Sequence, residues 1–175
     1  MKWLMLIGGC VLALVLIMAL AGACLPKGHR ASRSAEFKAP PGALWVALTN
    51  VSAFPEWRAD VKKVEIQGTA AGPKWREDGS NGSITYEQVE ASAPTRLVTR
   101  IADPSLPFGG TWTFQILPAG SGSSVTITED GEVYNVFFRF LSRFVFGHAS
   151  SINAYLSSLG KKFGETVAIK SSVKA

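Results

Sequence analysis

The sequence predicts an α+β fold: a curved antiparallel sheet closed around a long C-terminal helix, with one apolar helix in front. Three observations carry this. Nothing from Trp3 through Leu25 is charged, six short segments between residues 61 and 133 alternate apolar with polar side chains, and the last part of the chain repeats apolar residues at helical spacing.

At about 1.5 Å per helical residue, the leading run reaches roughly 34 Å, enough to cross a hydrocarbon core of about 30 Å. Three readings compete. An uncleaved anchor fits its length, which exceeds the core of an ordinary signal peptide. Ala21-Gly22-Ala23 supplies a signal-cleavage pattern, and Cys24 resembles a lipoprotein acceptor, although Ala21 stands where that box expects Leu. The positive flank, Lys27, Arg30, Arg33 and Lys38 against Lys2 alone, puts an anchored domain in the cytoplasm; cleavage or lipidation reverses that. The resulting division is residues 1–26 as anchor or signal segment, 27–33 as a basic neck, 34–170 as one domain and 171–175 as a tail. Cys10 and Cys24 both lie in the apolar run, so the domain has no disulfide framework and depends on a packed core. The net charge of +5 is mild, and no basic stripe interleaved with aromatics points to nucleic acid.

Ser34 to Lys38 reads as a strand that Pro40-Pro41-Gly42 ends. Ala43 to Leu48 follows as a helix with Leu44, Ala47 and Leu48 on one face. Val51 to Arg58 is a second short helical piece, with Ser52 as its cap and Pro55 early. Then comes a meander: Val61–Gln67, Lys74–Glu77, Ser83–Glu90, Arg96–Ile101, Thr111–Leu117 and Ser124–Val133. Turns such as Asp78-Gly79-Ser80-Asn81-Gly82 join these strands as hairpins. One face collects Val64, Ile66, Trp75, Ile84, Tyr86, Leu97, Ile101, Trp112, Phe114, Ile116, Val125 and Ile127. The other carries polar and charged residues, among them Lys63, Glu65, Glu87, Arg96, Arg100, Thr113, Thr126 and Thr128. A sheet so one-sided must cover its apolar side.

The cover is the terminal helix, where Ile152, Tyr155, Leu156, Leu159, Phe163 and Val167 recur at helical spacing. Between sheet and helix, residues 136–146 are rich in Phe. Arg139 and Arg143 share one helical face there, and Phe137, Phe140, Leu141 and Phe144 occupy another. This stretch either roofs a cavity or lies in a headgroup region.

A strand, two short helices, a six-stranded meander and a long final helix make up the order of the helix-grip architecture. Over residues 32–165 the chain resembles the START-related superfamily, also called SRPBCC or polyketide cyclase/dehydrase-like. The carriers are Ala39-Pro40-Pro41-Gly42-Ala43-Leu44-Trp45, Phe54-Pro55-Glu56-Trp57, Gly110-Thr111-Trp112-Thr113-Phe114 and Thr126-Ile127-Thr128-Glu129-Asp130-Gly131-Glu132-Val133. The anchor followed by Leu25-Pro26 resembles the membrane-tethered bacterial members. The resemblance implies a sheet gripping a helix, often around an apolar cavity, and no single reaction.

Catalytic groups are few. His29 falls in the neck, and His148, at the expected start of the last helix, is a cap or packing residue rather than a general base. No cysteine serves as a domain nucleophile, no metal-ligand spacing occurs, and no phosphate loop joins a strand to a helix, so no cofactor is expected. Strand parity puts Tyr86, Gln88, Thr99 and Glu129 on the apolar side, where they either orient a ligand or sit at a solvated mouth. Glu129 has Arg139 and Arg143 as candidate partners. Phe54, Trp57, Trp75, Trp112 and Phe114 either line a pocket or fill it.

The leading expectation is a membrane-tethered, non-catalytic module that binds a hydrophobic or amphipathic small molecule, a lipid or an aromatic compound, between sheet and terminal helix. Its candidate contacts are Phe54, Trp57, Trp75, Ile84, Tyr86, Gln88, Thr99, Trp112, Phe114, Glu129, Tyr155 and Leu159, and membrane lipid is the other expected partner. The alternatives are a metal-free cyclase or dehydratase with Tyr86 or Glu129 as acid or base, and a protein-interaction module with a solid core.

Overall fold

A computed structural model describes residues 2–68, 72–147 and 149–172 of the chain. Helix α1 (Lys2–Cys24) leads into strand β1 (Gly28–Phe37), helix α2 (Pro41–Thr49) and, after a 3-10 turn over Val51–Ala53, the one-turn helix α3 (Phe54–Trp57). Strands β2 (Val61–Gly68), β3 (Lys74–Gly79), β4 (Gly82–Ser92), β5 (Arg96–Ile101), β6 (Phe108–Ala119) and β7 (Gly122–Val133) form the meander. Helix α4 (Val136–Leu141) runs into a π-helical turn over Ser142–Phe146, followed by α5 (Ser150–Lys162) and the short strand β8 (Lys170–Ser171). His148 lies outside the described residues.

All eight strands share one antiparallel sheet in the order β2-β3-β4-β5-β6-β7-β1-β8. From β2 to β7 sequence neighbours are spatial neighbours, while β1 pairs with β7 and β8 with β1 across long stretches of chain. Register shifts in β2 and between Gln88 and Glu90 in β4 bend the sheet. On the convex face, ion pairs such as Arg96–Glu90 and Arg100–Glu87 bridge adjacent strands.

The concave face buries Leu97, Phe114, Ile116, Val125 and Ile127 against Leu44 and Leu48 of α2 and Ile152, Leu156 and Leu159 of α5. Fully burying a side chain of this size is worth about 1.5–3 kcal/mol, so this contact is the main source of the fold's stability. Ile66 shares that face through its pairing with Trp75, but β2 is an edge strand and Ile66 remains 56 % exposed.

Several boundaries differ from the expectation. Strand β1 begins at Gly28 rather than Ser34, because the basic stretch finds partners on β7: Arg30 faces Asp130 at 3.4 Å, and the Ser32 and Thr128 hydroxyls meet at 3.0 Å. Ser52 caps no helix; it falls within the 3-10 turn, and α3 starts after it. Helix α5 stops at Lys162, short of Val167. Gly164 takes a left-handed φ of 70°, its N–H reaches the Lys161 carbonyl, and the Glu165 N–H reaches Gly160 at 2.9 Å. The chain then turns back, Val167 packs over Gly160, and β8 joins the free edge of β1.

Helix α1 exposes apolar side chains along its length, Leu6 at 60 % and Leu16 at 54 % among them. Met5–Cys24 is long and apolar enough to cross a membrane. Its last turn packs on α4.

Candidate functional site

The concave face, α2, α3, α5 and the α4 segment enclose a cavity of about 430 Å³. Strand alternation builds its walls. Trp75 on β3 and Tyr86 on β4 are register partners, so their rings stack at 5.8 Å and 24°. Trp112 and Phe114, two apart on β6, both meet Tyr155 of α5, at 5.8 and 5.5 Å between ring centroids. Phe54 closes this end through its edge contact with Tyr155 at 6.5 Å.

A buried ion pair sits among these rings. Glu77 shares the inward parity of Trp75 and is only 7 % exposed. It accepts from the Trp75 indole N–H at 2.9 Å and pairs with Arg58 at 2.9 Å, while Arg58 also holds Asp60 at 2.6 Å. The Arg58 guanidinium lies 4.9 Å from the Tyr155 ring centroid and 5.0 Å from that of Phe54, which adds cation–π attraction. Burial works against the Arg58 charge, yet its pKa is raised overall, with Tyr155, Asp60 and Glu77 opposing the burial penalty. Glu77 responds the other way: burial pushes its carboxyl above the ordinary range, outweighing Arg58 and the Trp75 donor. Burial also raises the hydroxyls of Tyr86 and Tyr155, so both are protonated donors at neutral pH. That weakens Tyr86 as a base and leaves it a role in donating a hydrogen bond.

At the α4 end, the His29 imidazole meets Glu129 at 3.5 Å, and the Ser151 hydroxyl donates to the same carboxylate at 3.4 Å. Gly131 makes room for this contact, since a side chain there would collide with the His29 ring. Phe138 and Ser142 wall the cavity beside them. Among the described residues Glu129 makes no ion pair with Arg139 or Arg143, the partners expected from the sequence. Arg139 instead donates to the backbone carbonyls of Gly22, Leu25 and Tyr134.

Of the expected contacts, Phe54, Trp75, Ile84, Tyr86, Thr99, Trp112, Phe114, Glu129 and Tyr155 line the cavity. Three do not. Trp57 packs edge-on against Phe54 and Tyr155, each at 5.5 Å, behind the wall; Leu159 is fully buried in the core. Gln88 stays in register with Thr99 but does not line the cavity. Arg58, Glu77 and His29 line it although the sequence reading did not select them. Among the described residues, no three His, Cys, Asp or Glu side chains gather as metal ligands.

The profile of the family described as polyketide cyclase/dehydrase and lipid transport matches residues 28–154. The chain belongs to that family. A search of curated proteins finds no match. Among solved structures, a conserved protein from Geobacillus kaustophilus aligns at TM-score 0.66 and 16 % identity, covering 81 % of this chain and 99 % of its own. Norcoclaurine synthase from Thalictrum flavum aligns at 0.63 and 12 %, covering 79 and 87 %. A START superfamily protein from Mycobacterium smegmatis aligns at 0.62 and 16 %, covering 77 and 96 %. At these identities the structures establish a shared START-like fold, and the family's range of functions leaves the ligand to be argued from the cavity.

Proposed function

We propose that this family member is a membrane-tethered module that binds a hydrophobic or amphipathic small molecule, a lipid or an aromatic, polyketide-like compound, between sheet and α5. The observation that carries the reading is the 430 Å³ cavity itself, walled by aromatic rings and bearing one buried ion pair. Transfer of apolar surface into such a site contributes about 25 cal/mol per Å². The Arg58–Glu77 pair and the protonated Tyr86 and Tyr155 hydroxyls offer a few directional contacts for a polar end. In this reading residues 1–26 are the anchor, the binding domain begins with β1 at Gly28, and the basic flank favours the cytoplasmic side for it. Phe54, Trp75, Ile84, Tyr86, Thr99, Trp112, Phe114, Glu129 and Tyr155 form the binding wall, extended by Arg58, Glu77 and His29.

Native mass spectrometry of the full chain extracted in mild detergent tests this. The expected spectrum shows one small molecule per chain. A chain that carries none, and takes up none from a hydrophobic extract of its host membranes, contradicts the reading.

The His29–Glu129 contact favours a second reading, a cyclase or dehydratase in which this pair moves a proton on the bound compound. It requires turnover on a polyketide-like substrate that Glu129→Gln abolishes; unchanged turnover removes Glu129 from the chemistry.

A further inference from the structure

A second recess, of about 270 Å³, lies between the end of α1, the start of β1 and α4. Its charged lining is basic: Lys27, Arg30, Arg139 and Arg143 line it beside His29 and Ser142, and no carboxylate residue does. Arg30 is balanced by Asp130 at 3.4 Å. Arg139 is buried, and its guanidinium takes three backbone carbonyls, but its Nε–H has no acceptor among the described residues. Lys27 and Arg143 have no ion-pair partner among the described residues, so the recess carries positive charge without matching negative charge.

Its position narrows what would neutralise it. The recess begins at Leu25, immediately past the apolar helix, and a helix spanning the roughly 30 Å hydrocarbon core delivers that point to the phosphate level. The junction is tight: Gly22 sits so close to the Val136 carbonyl that a side chain would collide with it, and Arg139 ties α4 to the last carbonyls of α1. Next to the recess, Phe138, Phe144 and Val145 are 48, 63 and 62 % exposed, an apolar surface continuous with the anchor.

We propose that this recess binds the phosphate of an anionic phospholipid while the α4 segment rests in the same leaflet. The inference builds on the membrane-tethered reading and adds a site that adjoins the cavity, sharing His29, Val133 and Ser142 with it, while Lys27, Arg139 and Arg143 belong to the recess alone. Lys27 and Arg143 supply charge to the phosphate, Arg139 fixes the recess to the anchor, and the exposed aromatics enter the headgroup region. The cavity wall at Phe138 and Ser142 is then held against the bilayer from which a hydrophobic ligand would come.

The test reconstitutes the full chain in nanodiscs with equal phosphatidylglycerol and phosphatidylcholine and measures retained lipid by native mass spectrometry. Phosphatidylglycerol is expected to be retained preferentially, and the exposed double variant K27A/R143A to lose that preference on the order of tenfold. Equal retention of both lipids, or an unchanged preference in the variant, overturns the proposal. So does inorganic phosphate that strips the lipid and remains as the adduct, which would assign the recess to soluble phosphate. A mature chain lacking residues 1–24 overturns it as well. Neither variant residue lines the cavity, so retention of a small molecule there reports separately on the binding reading.

Discussion

At the α3 end of the cavity Arg58 and Glu77 meet at 2.9 Å with side chains 10 and 8 % exposed, whereas at the α4 end His29 and Glu129 stand 3.5 Å apart at 16 and 18 %. The first pair is locked by Asp60, by the Trp75 indole and by two aromatic rings. The second is longer and somewhat more exposed, and Glu129 also takes a long hydroxyl contact from Ser151. The difference separates two uses of charge in one apolar site. A pair held by several protein partners at the buried end contributes more to the stability of the domain; a looser pair can exchange partners with a ligand at little cost to the fold.

The largest effect should come from cutting the enclosed pair. Arg58→Ala leaves Glu77 buried without its counterion and is expected to cost about 3–5 kcal/mol, read as a shifted denaturant midpoint. A loss below about 1 kcal/mol would mean that solvent reaches this end and would erase the contrast. The pH dependence sharpens the same point. Because the folded Glu77 carboxyl titrates above its ordinary value of 4.5, the native state holds its proton more tightly than the unfolded chain does. This carboxyl's contribution to stability is therefore fully present below about 4.5 and declines as pH rises through the raised value. Glu77→Gln should remove that decline, and a variant whose stability keeps the wild-type slope would reject the assignment.

Smaller effects are expected at the rim. Glu129→Gln should change stability by less than about 1 kcal/mol while altering retention of the cavity ligand. A stability loss equal to that of Arg58→Ala would make the two ends alike. Ser151→Ala removes only a 3.4 Å contact to Glu129 and should stay within about 0.5 kcal/mol of the parent.

The meander was legible in the sequence because alternation acts between adjacent strands, and hairpins set which strands are adjacent. Leu97, Phe114 and Ile127 share the concave face as their parity requires. Parity sets the face but not the reach of the cavity: Gln88 keeps the register of Thr99 on the face of Tyr86, yet it does not line the cavity, and the register shift comes only after it. Glu77 was readable, two residues from Trp75 on the same face, but a carboxylate in a short charged strand suggests solvent until its counterion is located. Arg58 could not be placed, since its direction depends on how α3 ends. His29 was hidden among Lys27, Arg30 and Arg33, whose charges suggest a solvated neck; only the long pairing of β1 with β7 carries it inward. The end of α5 had a signal in Gly164, which the apolar repeat running on to Val167 obscured.

The central claim is that the space between sheet and α5 holds a ligand, and filling that space tests it most directly. Thr99 is buried, faces Trp112 across β5 and β6, and borders the cavity. Titration of the full chain with a hydrophobic fluorophore should show one site per chain that Thr99→Trp abolishes while the unfolding transition remains cooperative. Equal binding by the filled variant would contradict the account.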